Sequence, residues 1–338
     1  MDIKENISLA PYTTLKIGGE ARFFCEAKDG KEISEALKFA RKKKMPVFVL
    51  GGGSNVLVSD NGFNGIVIKI SNSAWKLNFH DGSLASIECG SGVQLSKIVN
   101  ESAKAGLTGL EWAAGIPGTV GGALRGNAGA FGGEMAEAVE SINVMEIQNP
   151  VTNKSSNFSF PDYSSGNSSK SNFELQVTNY QLQECKFSYR DSIFKQNPNL
   201  IILSANLRLE KGRKEESEKK VREIITARKE AQPFDFPSSG SFFKNPTVKN
   251  KKLIEEYEKE TGNKAKDGII PAGYLIDMLN LRGKKIGGAM VSQAHGNFLV
   301  NAGGATAEDM VILVSLIKQK ARNKFGVQLR EEVQMVGF

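Results

Sequence analysis

Two glycine-rich stretches could hold an anion with backbone alone. Gly51-Gly52-Gly53-Ser54-Asn55 follows the apolar run Pro46-Val47-Phe48-Val49-Leu50. A denser run, Gly115-Ile116-Pro117-Gly118-Thr119-Val120-Gly121-Gly122, continues through Gly126-Asn127 to Gly133. Glycine lets a backbone approach a ligand closely, and successive N–H groups in such turns form a concavity suited to phosphate. A helix N-terminus inside the second run would add a favourable dipole. The first loop leads straight into Val56-Leu57-Val58, so it joins strand to strand. A dinucleotide fold of the Rossmann type needs strand, loop, then helix, with Gly-x-Gly-x-x-Gly spacing. Neither requirement is met, which argues against that fold. Residues 51–133 hold 18 of the 35 glycines, a concentration that suits a backbone-lined binding surface or a turn-rich β region.

Three polar side chains stand in short local motifs. Arg190 lies in Tyr189-Arg190-Asp191-Ser192, Ser241 in Gly240-Ser241-Phe242-Phe243-Lys244-Asn245-Pro246, and Glu332 follows Glu331 near the C-terminus. Each pattern taken alone reads more readily as ordinary structure: an ion-paired arginine, a turn serine, a charge in a final strand. The chain has only two histidines, His80 and His295, far apart in sequence. A serine hydrolase or a histidine-rich metal centre therefore has little to work with. Three scattered cysteines, Cys25, Cys89 and Cys185, form no CxxC pair. A disulfide framework and a zinc site are disfavoured, and no metal is expected.

The chain that must position these groups has 338 residues, enough for two or three domains. Apolar residues make up 40% and charged residues 24%, as in ordinary globular proteins. No run reaches the roughly 18 apolar residues of a membrane span, and the N-terminus has no basic-then-apolar signal pattern. The expectation is a cytoplasmic protein with no membrane partner. Net charge is +7. The basic clusters Arg41–Lys44 and Lys211–Lys220 carry no interleaved aromatics for base stacking. Nucleic acid is not expected as a partner, and an anionic substrate or cofactor accounts for the positive excess.

Hydrophobic spacing predicts a helix over Lys31–Lys44, with Ile33, Ala36, Leu37 and Ala40 on one face. Strands are expected at Pro46–Leu50, Val56–Val58, Ile66–Ile70, Leu84–Gly90, Glu174–Val177, Leu200–Leu203 and Phe298–Asn301, and helices at Leu95–Ala105, Glu210–Arg228, 272–280 and Ala307–Phe325. Thr306 is the expected N-cap of the last helix. Residues 152–172 hold 12 Ser or Asn among 21, the composition of a flexible surface insertion.

In chain order, Tyr12-Thr13-Thr14-Leu15-Lys16-Ile17-Gly18-Gly19, the two glycine stretches, the Arg190 and Ser241 motifs and Glu332 resemble the UDP-N-acetylenolpyruvoylglucosamine reductases. These flavoenzymes complete UDP-N-acetylmuramate in bacterial peptidoglycan synthesis. The resemblance implies an α+β protein: an FAD-binding fold of the vanillyl-alcohol-oxidase type in two subdomains, 1–72 and 73–212, and a smaller α+β substrate-binding domain, 213–338. The last strand, about 327–336, would return to the active site. Non-covalent FAD would lie along Gly51, Gly52, Gly53, Ser54, Asn55, Gly115, Ile116, Pro117, Gly118, Thr119, Gly121, Gly122 and Asn127. The implied reaction is ping-pong: NADPH reduces the FAD, and the enolpyruvyl sugar nucleotide then takes hydride from the flavin.

The resemblance further implies that Arg190 holds the substrate carboxylate, Ser241 protonates the α-carbon and Glu332, as the protonated acid, hydrogen-bonds the developing enediolate. Tyr189, Arg228, Lys229, Lys244, Asn245 and His295 are the implied substrate contacts, and the expected protein is a monomer. Where the family often has proline before the glutamate, this chain has Glu331. The stretch Glu230-Ala231-Gln232-Pro233 is similar to members that lack a tyrosine-bearing loop over the substrate. The alternatives are another FAD-linked oxidoreductase of the same fold, which would need neither Ser241 nor Glu332, and a basic nucleotide-binding module.

Overall fold

A computed structural model describes residues 1–147, 151–152, 158–159 and 175–338. The Ser/Asn-rich stretch expected at 152–172 thus lies largely outside the described residues. The rest is mixed helix and sheet and forms two compact units. Packing divides the chain differently from the expected boundaries at 72 and 212. The first unit comprises Met1–Ile7, Glu20–Gly53 and Phe63–Arg228; the second comprises Ser8–Gly19, Ser54–Gly62 and Lys229–Phe338. The reason is apolar burial: Leu15, Ile17 and Leu57 join the core built from the C-terminal residues.

Among the described residues the first unit contains the short antiparallel pair Gly129–Ala130 with Gly133–Glu134 and two larger sheets. In one, Phe63–Ile70 lies between Glu20–Ala27 and Val47–Leu50 and runs parallel to both. The crossover is the helix Gly30–Lys43, which buries Ile33, Ala36, Leu37 and Ala40 as its spacing predicts. Asp29 caps it by accepting from the Glu32 amide, and Lys44 closes it in the left-handed region at φ 52. The basic cluster expected at Arg41–Lys44 is therefore the last turn of a helix, where cations offset the dipole.

The other sheet is antiparallel, in the order Leu175–Gln181, Val139–Ile147, Leu200–Lys211, Leu84–Gly90, Trp75–Phe79. The strand from Leu200 runs on through Lys211 because Glu210 finds partners in both Leu84 and Thr108. The following helix accordingly starts at Lys214 rather than Glu210 and runs to Ala231. It buries Val221, while Ile224 and Ile225 are half-buried against the same core.

The second unit is built on a four-stranded antiparallel sheet in the order Ser238–Ser241, Phe298–Asn301, Ala289–Val291, Lys285–Ile286. The helices Lys251–Thr261, Ala272–Met278 and Ala307–Phe325 belong to this unit, with Met310, Leu313 and Ile317 in the core beside Phe242, Phe243 and Leu299. Val56–Val58, the strand after the first glycine loop, pairs in parallel with Gln334–Val336.

Thr306 caps Ala307–Phe325 through a capping box with Asp309. Asp60, far away in sequence, accepts from the Ala307 and Glu308 amides at 2.8 and 3.0 Å. Both carboxylate oxygens thus satisfy helix-terminal donors against the favourable end of the dipole. Asp60→Ala is expected to cost about 1 kcal/mol. Chemical denaturation should show it as a lower midpoint at unchanged slope. Among the described residues no helix is long and apolar enough to cross a membrane.

Candidate active site

The strand Val47–Leu50 ends at Gly51, and the two glycine stretches then meet backbone to backbone inside the first unit. A Cβ at Gly52 would stand 2.6 Å from the Gly118 Cα, and one at Gly51 would stand 2.8 Å from the Thr119 hydroxyl. Only glycine permits this approach. Thr119 begins the short helix Val120–Arg125 and accepts from the Gly122 amide at 3.4 Å. The loop is tied down by bonds from the Leu95 amide to the Gly118 carbonyl, from Val120 to Val93 and from Gly121 to Ser91. Gly115, Pro117 and Gly122 stay exposed, and Gly51, Gly52, Ile116, Gly118 and Gly121 are half-buried. The result is a rigid strip of partly open backbone with no carboxylate in either loop, which fits a pyrophosphate-bearing cofactor. Asn127 is wholly buried and works inside the protein: it donates to the Ser188 carbonyl and accepts from the Ala136 amide.

Arg190 sits at the left-handed corner of a tight turn, at φ 55, where Ser188 and Asp191 exchange backbone bonds. Ser192 caps the following helix and donates to the Arg125 carbonyl, while Lys195 donates to the Arg190 carbonyl. The guanidinium donates to the Gly129 carbonyl at 2.7 Å, and its carbon lies 5.4 Å from the Tyr189 ring centre. Anchored at the backbone and along one edge, the fork is preorganised. Tyr189 is exposed.

Arg228 is 6% exposed. Its Nε donates to the Ala114 carbonyl at 2.7 Å, its stem packs on Gly115, and its guanidinium lies 5.0 Å from the ring centre of the exposed Phe131. Among the described residues its Nη2 is buried without a hydrogen-bond partner, and burial pulls its pKa below the ordinary value. A cation left short of partners at the edge of a glycine loop suits an anionic ligand. Lys229, the next residue, is exposed. Phe131 was not singled out by sequence reasoning; its place in the Gly115–Gly133 run was the available signal.

In the second unit Ser241 ends its strand opposite Phe298, after a register shift at Gly240, whose φ is 77. The Phe242 carbonyl, one residue on, accepts from the Glu332 amide at 2.8 Å, and the Lys244 amide donates to Arg330. Asn55 reaches the same place: it donates to the Glu332 carbonyl at 3.2 Å and accepts from the Gln334 amide at 3.0 Å. One backbone frame therefore carries Ser241, Lys244, Glu332 and Asn55. The neighbouring Glu331 is engaged elsewhere, taking an ion pair from Lys318 at 2.7 Å. The Asn245 side chain accepts from the Ala272 amide at the start of the helix Ala272–Met278.

His295 is half-buried, and its Nδ1 accepts from the Asn297 amide at 3.1 Å. Its ring stacks edge-on against Phe298. Burial lowers its pKa below the ordinary 6.5, helped by Arg282 and opposed by Asp277. The unfolded chain then takes up a proton that the folded chain resists. This contribution to stability is complete above 6.5 and is lost as pH falls from there toward the lower folded value. Relative to wild type, His295→Gln should lose less stability between about pH 7.5 and about pH 5.5. Urea unfolding at the two pH values checks this.

Among the described residues no group of three or more His, Cys, Asp or Glu could hold a metal. Comparisons with known proteins bear on the rest of the chemistry. A profile of the FAD-binding domain matches residues 21–149, and one of the UDP-N-acetylenolpyruvoylglucosamine reductase C-terminal domain matches residues 232–336. A UDP-N-acetylenolpyruvoylglucosamine reductase of Anoxybacillus flavithermus is 35% identical over 335 residues, covering 99% of this chain and 94% of its own. One from Caldanaerobacter subterraneus is 36% identical over 332 residues, covering 98% and 93%. Among solved structures, the UDP-N-acetylenolpyruvylglucosamine reductase of Thermus caldophilus superposes with a TM-score of 0.70 at 31% identity, over 99% of this chain and 100% of its own.

Proposed function

The chain belongs to the UDP-N-acetylenolpyruvoylglucosamine reductase family, and from that membership we propose how its residues divide the work. It is an FAD-containing oxidoreductase of peptidoglycan precursor synthesis that reduces the enolpyruvyl double bond of UDP-N-acetylglucosamine enolpyruvate to give UDP-N-acetylmuramate. We take NADPH as its co-substrate. Bound FAD would supply the hydride chemistry between NADPH and the terminal carbon of the enol ether.

The protein's own residues bind, orient and protonate. Gly51–Asn55 and Gly115–Thr119, with Gly121, Gly122 and the turn at Asn127, would hold the flavin through backbone groups. Arg190 holds the substrate carboxylate with its fork, so the charge that builds at the α-carbon and spreads into that group is offset where it develops. Glu332 hydrogen-bonds the same developing enediolate. Ser241 gives the α-carbon its proton. Hydride at one carbon and proton at the other complete the saturated lactyl ether. Arg228 and Lys229 meet the diphosphate, the first because its buried guanidinium retains donor capacity. Tyr189, Lys244, Asn245 and His295 border the substrate. In this reading residues 1–212 mainly serve the flavin and 213–338 mainly the substrate. The protein works in the cytoplasm as a monomer, with no nucleic-acid or membrane partner.

The observation that carries this reading is the single bond from the Glu332 amide to the Phe242 carbonyl. It puts the candidate proton donor and the candidate acid on one rigid frame. The test is an absorption spectrum followed through both half-reactions without oxygen. Flavin bands should bleach with NADPH and return with the enolpyruvyl sugar nucleotide. Bands that bleach but stay bleached point to another substrate on the same fold, and a colourless protein that takes up no FAD sinks the reading.

A further inference from the structure

Asn297 is a buried polar residue that none of these roles uses. It is 3% exposed and immediately precedes the strand Phe298–Asn301. Its Oδ1 accepts from the Phe243 amide at 2.9 Å, and its Nδ2 donates to the Phe243 carbonyl at 2.8 Å. Its own carbonyl accepts from the Phe242 amide at 2.7 Å. Three bonds thus grip the two residues that follow Ser241, at the point where strand pairing stops. The Phe242 carbonyl between them is the one that takes the Glu332 amide. The Asn297 amide is itself held by His295 Nδ1.

Phe242 and Phe243 are fully buried, but apolar packing is not directional, so their peptide planes are set by hydrogen bonds: the Asn297 clamp on one side, and on the other the Glu332 amide on the Phe242 carbonyl and the Lys244 amide on the Arg330 carbonyl. A hydrogen bond fixes the plane. A carboxamide offers one donor and one acceptor side by side, so it can clamp both backbone groups of a single residue. We propose that Asn297 is a positioning residue for proton delivery: it holds the peptides after Ser241 so that the Ser241 hydroxyl and the backbone of Glu332 keep one geometry. The inference rests on Ser241 as proton donor.

Two variants and a control test it on the flavin-loaded full-length chain. Asn297→Asp keeps shape and acceptor but sets an oxygen against the Phe243 carbonyl. Asn297→Ser removes both bonds. The control is Asn301→Ser in the same strand. Asn301 is 9% exposed, and it donates to Leu15 and accepts from Gly303 and Ala305 without touching the clamp. Anaerobic rapid mixing follows flavin reduction by NADPH, then reoxidation across a range of enolpyruvyl sugar nucleotide concentrations, in water and in deuterium oxide.

For both Asn297 variants the expected result is flavin reduction within about twofold of wild type, and a limiting reoxidation rate lower by about 30- to 100-fold. Apparent substrate affinity should stay within about threefold, and the solvent isotope effect on reoxidation should grow as proton transfer limits the rate. Asn301→Ser should reoxidise within about threefold of wild type. Wild-type reoxidation in both Asn297 variants overturns the proposal. So does equal slowing in Asn301→Ser, or failure of both variants to fold and hold flavin, which would make Asn297 a folding residue. Ser241→Ala, run alongside, separates the two readings. If it is slow while the Asn297 variants are fast, only the positioning role falls. If it is fast, the proton-donor assignment falls and takes the positioning role with it.

Discussion

Ser241→Ala is expected to leave flavin reduction by NADPH within about twofold of wild type and to slow flavin reoxidation by the enolpyruvyl sugar nucleotide by about 10²- to 10⁴-fold, the usual contribution of a positioned general acid. That corresponds to about 3–5 kcal/mol of lost transition-state stabilisation. The asymmetry follows from the two steps. Hydride transfer from NADPH needs no proton from the protein, whereas saturating the enol ether adds a hydride at one carbon and a proton at the other. The loss should fall in the limiting rate more than in substrate affinity, because the interaction is made only as the bond forms. Removing one hydroxyl from a half-buried position at the end of Ser238–Ser241 leaves the clamp on Phe242 and Phe243 intact. Fold and flavin content should therefore match wild type. Fast reoxidation in this variant would falsify the assignment.

Glu332→Gln is expected to slow reoxidation by about 10²-fold or more, as when one preorganised stabiliser of a developing anion is lost, while Glu331→Gln costs less than about threefold. The two glutamates are adjacent, but their surroundings differ. Glu331 pairs with Lys318 at 2.7 Å, with both side chains a little over a quarter exposed, 28% and 29%. A pair that open contributes about 1 kcal/mol or less, and to stability rather than catalysis. Glu332 is fixed at both backbone groups, its amide on Phe242 and its carbonyl on Asn55. Parallel half-reaction kinetics on the two variants decide the matter, and a larger loss in Glu331→Gln would reverse the choice.

Much of the local structure was legible in the residues. Ile33, Ala36, Leu37 and Ala40 recur at helical spacing and face the core as expected. The bounds of Ala307–Phe325 and its Thr306 cap follow from a polar residue before a long apolar periodicity. The strand-to-strand setting of Gly51–Asn55 was readable because Val47–Leu50 and Val56–Val58 are too short and too apolar for helix. The start of the helix at Lys214 was not, since the strand before it is prolonged by cross-strand partners at Leu84 and Thr108 that no local pattern reports. The clamp by Asn297 was likewise invisible. An asparagine before a strand is common, and its partners are 54 positions away.

The sequence by itself determined the inventory: glycine-rich stretches beside short apolar runs, ordered motifs around Arg190, Ser241 and Glu332, and few histidines and cysteines. These are properties of residue type and near spacing, which the covalent chain carries directly. Only the tertiary structure decided which distant residues share a frame. Leu15, Ile17 and Leu57 leave their sequence neighbours for the core around Phe242 and Leu299, Val56–Val58 pairs with Gln334–Val336, and Asn55 holds Glu332 while Asn297 holds Phe243. Hydrophobic burial and backbone hydrogen bonding are satisfied by any suitably shaped partner, however far along the chain. Which partner is taken depends on the packing of the whole unit.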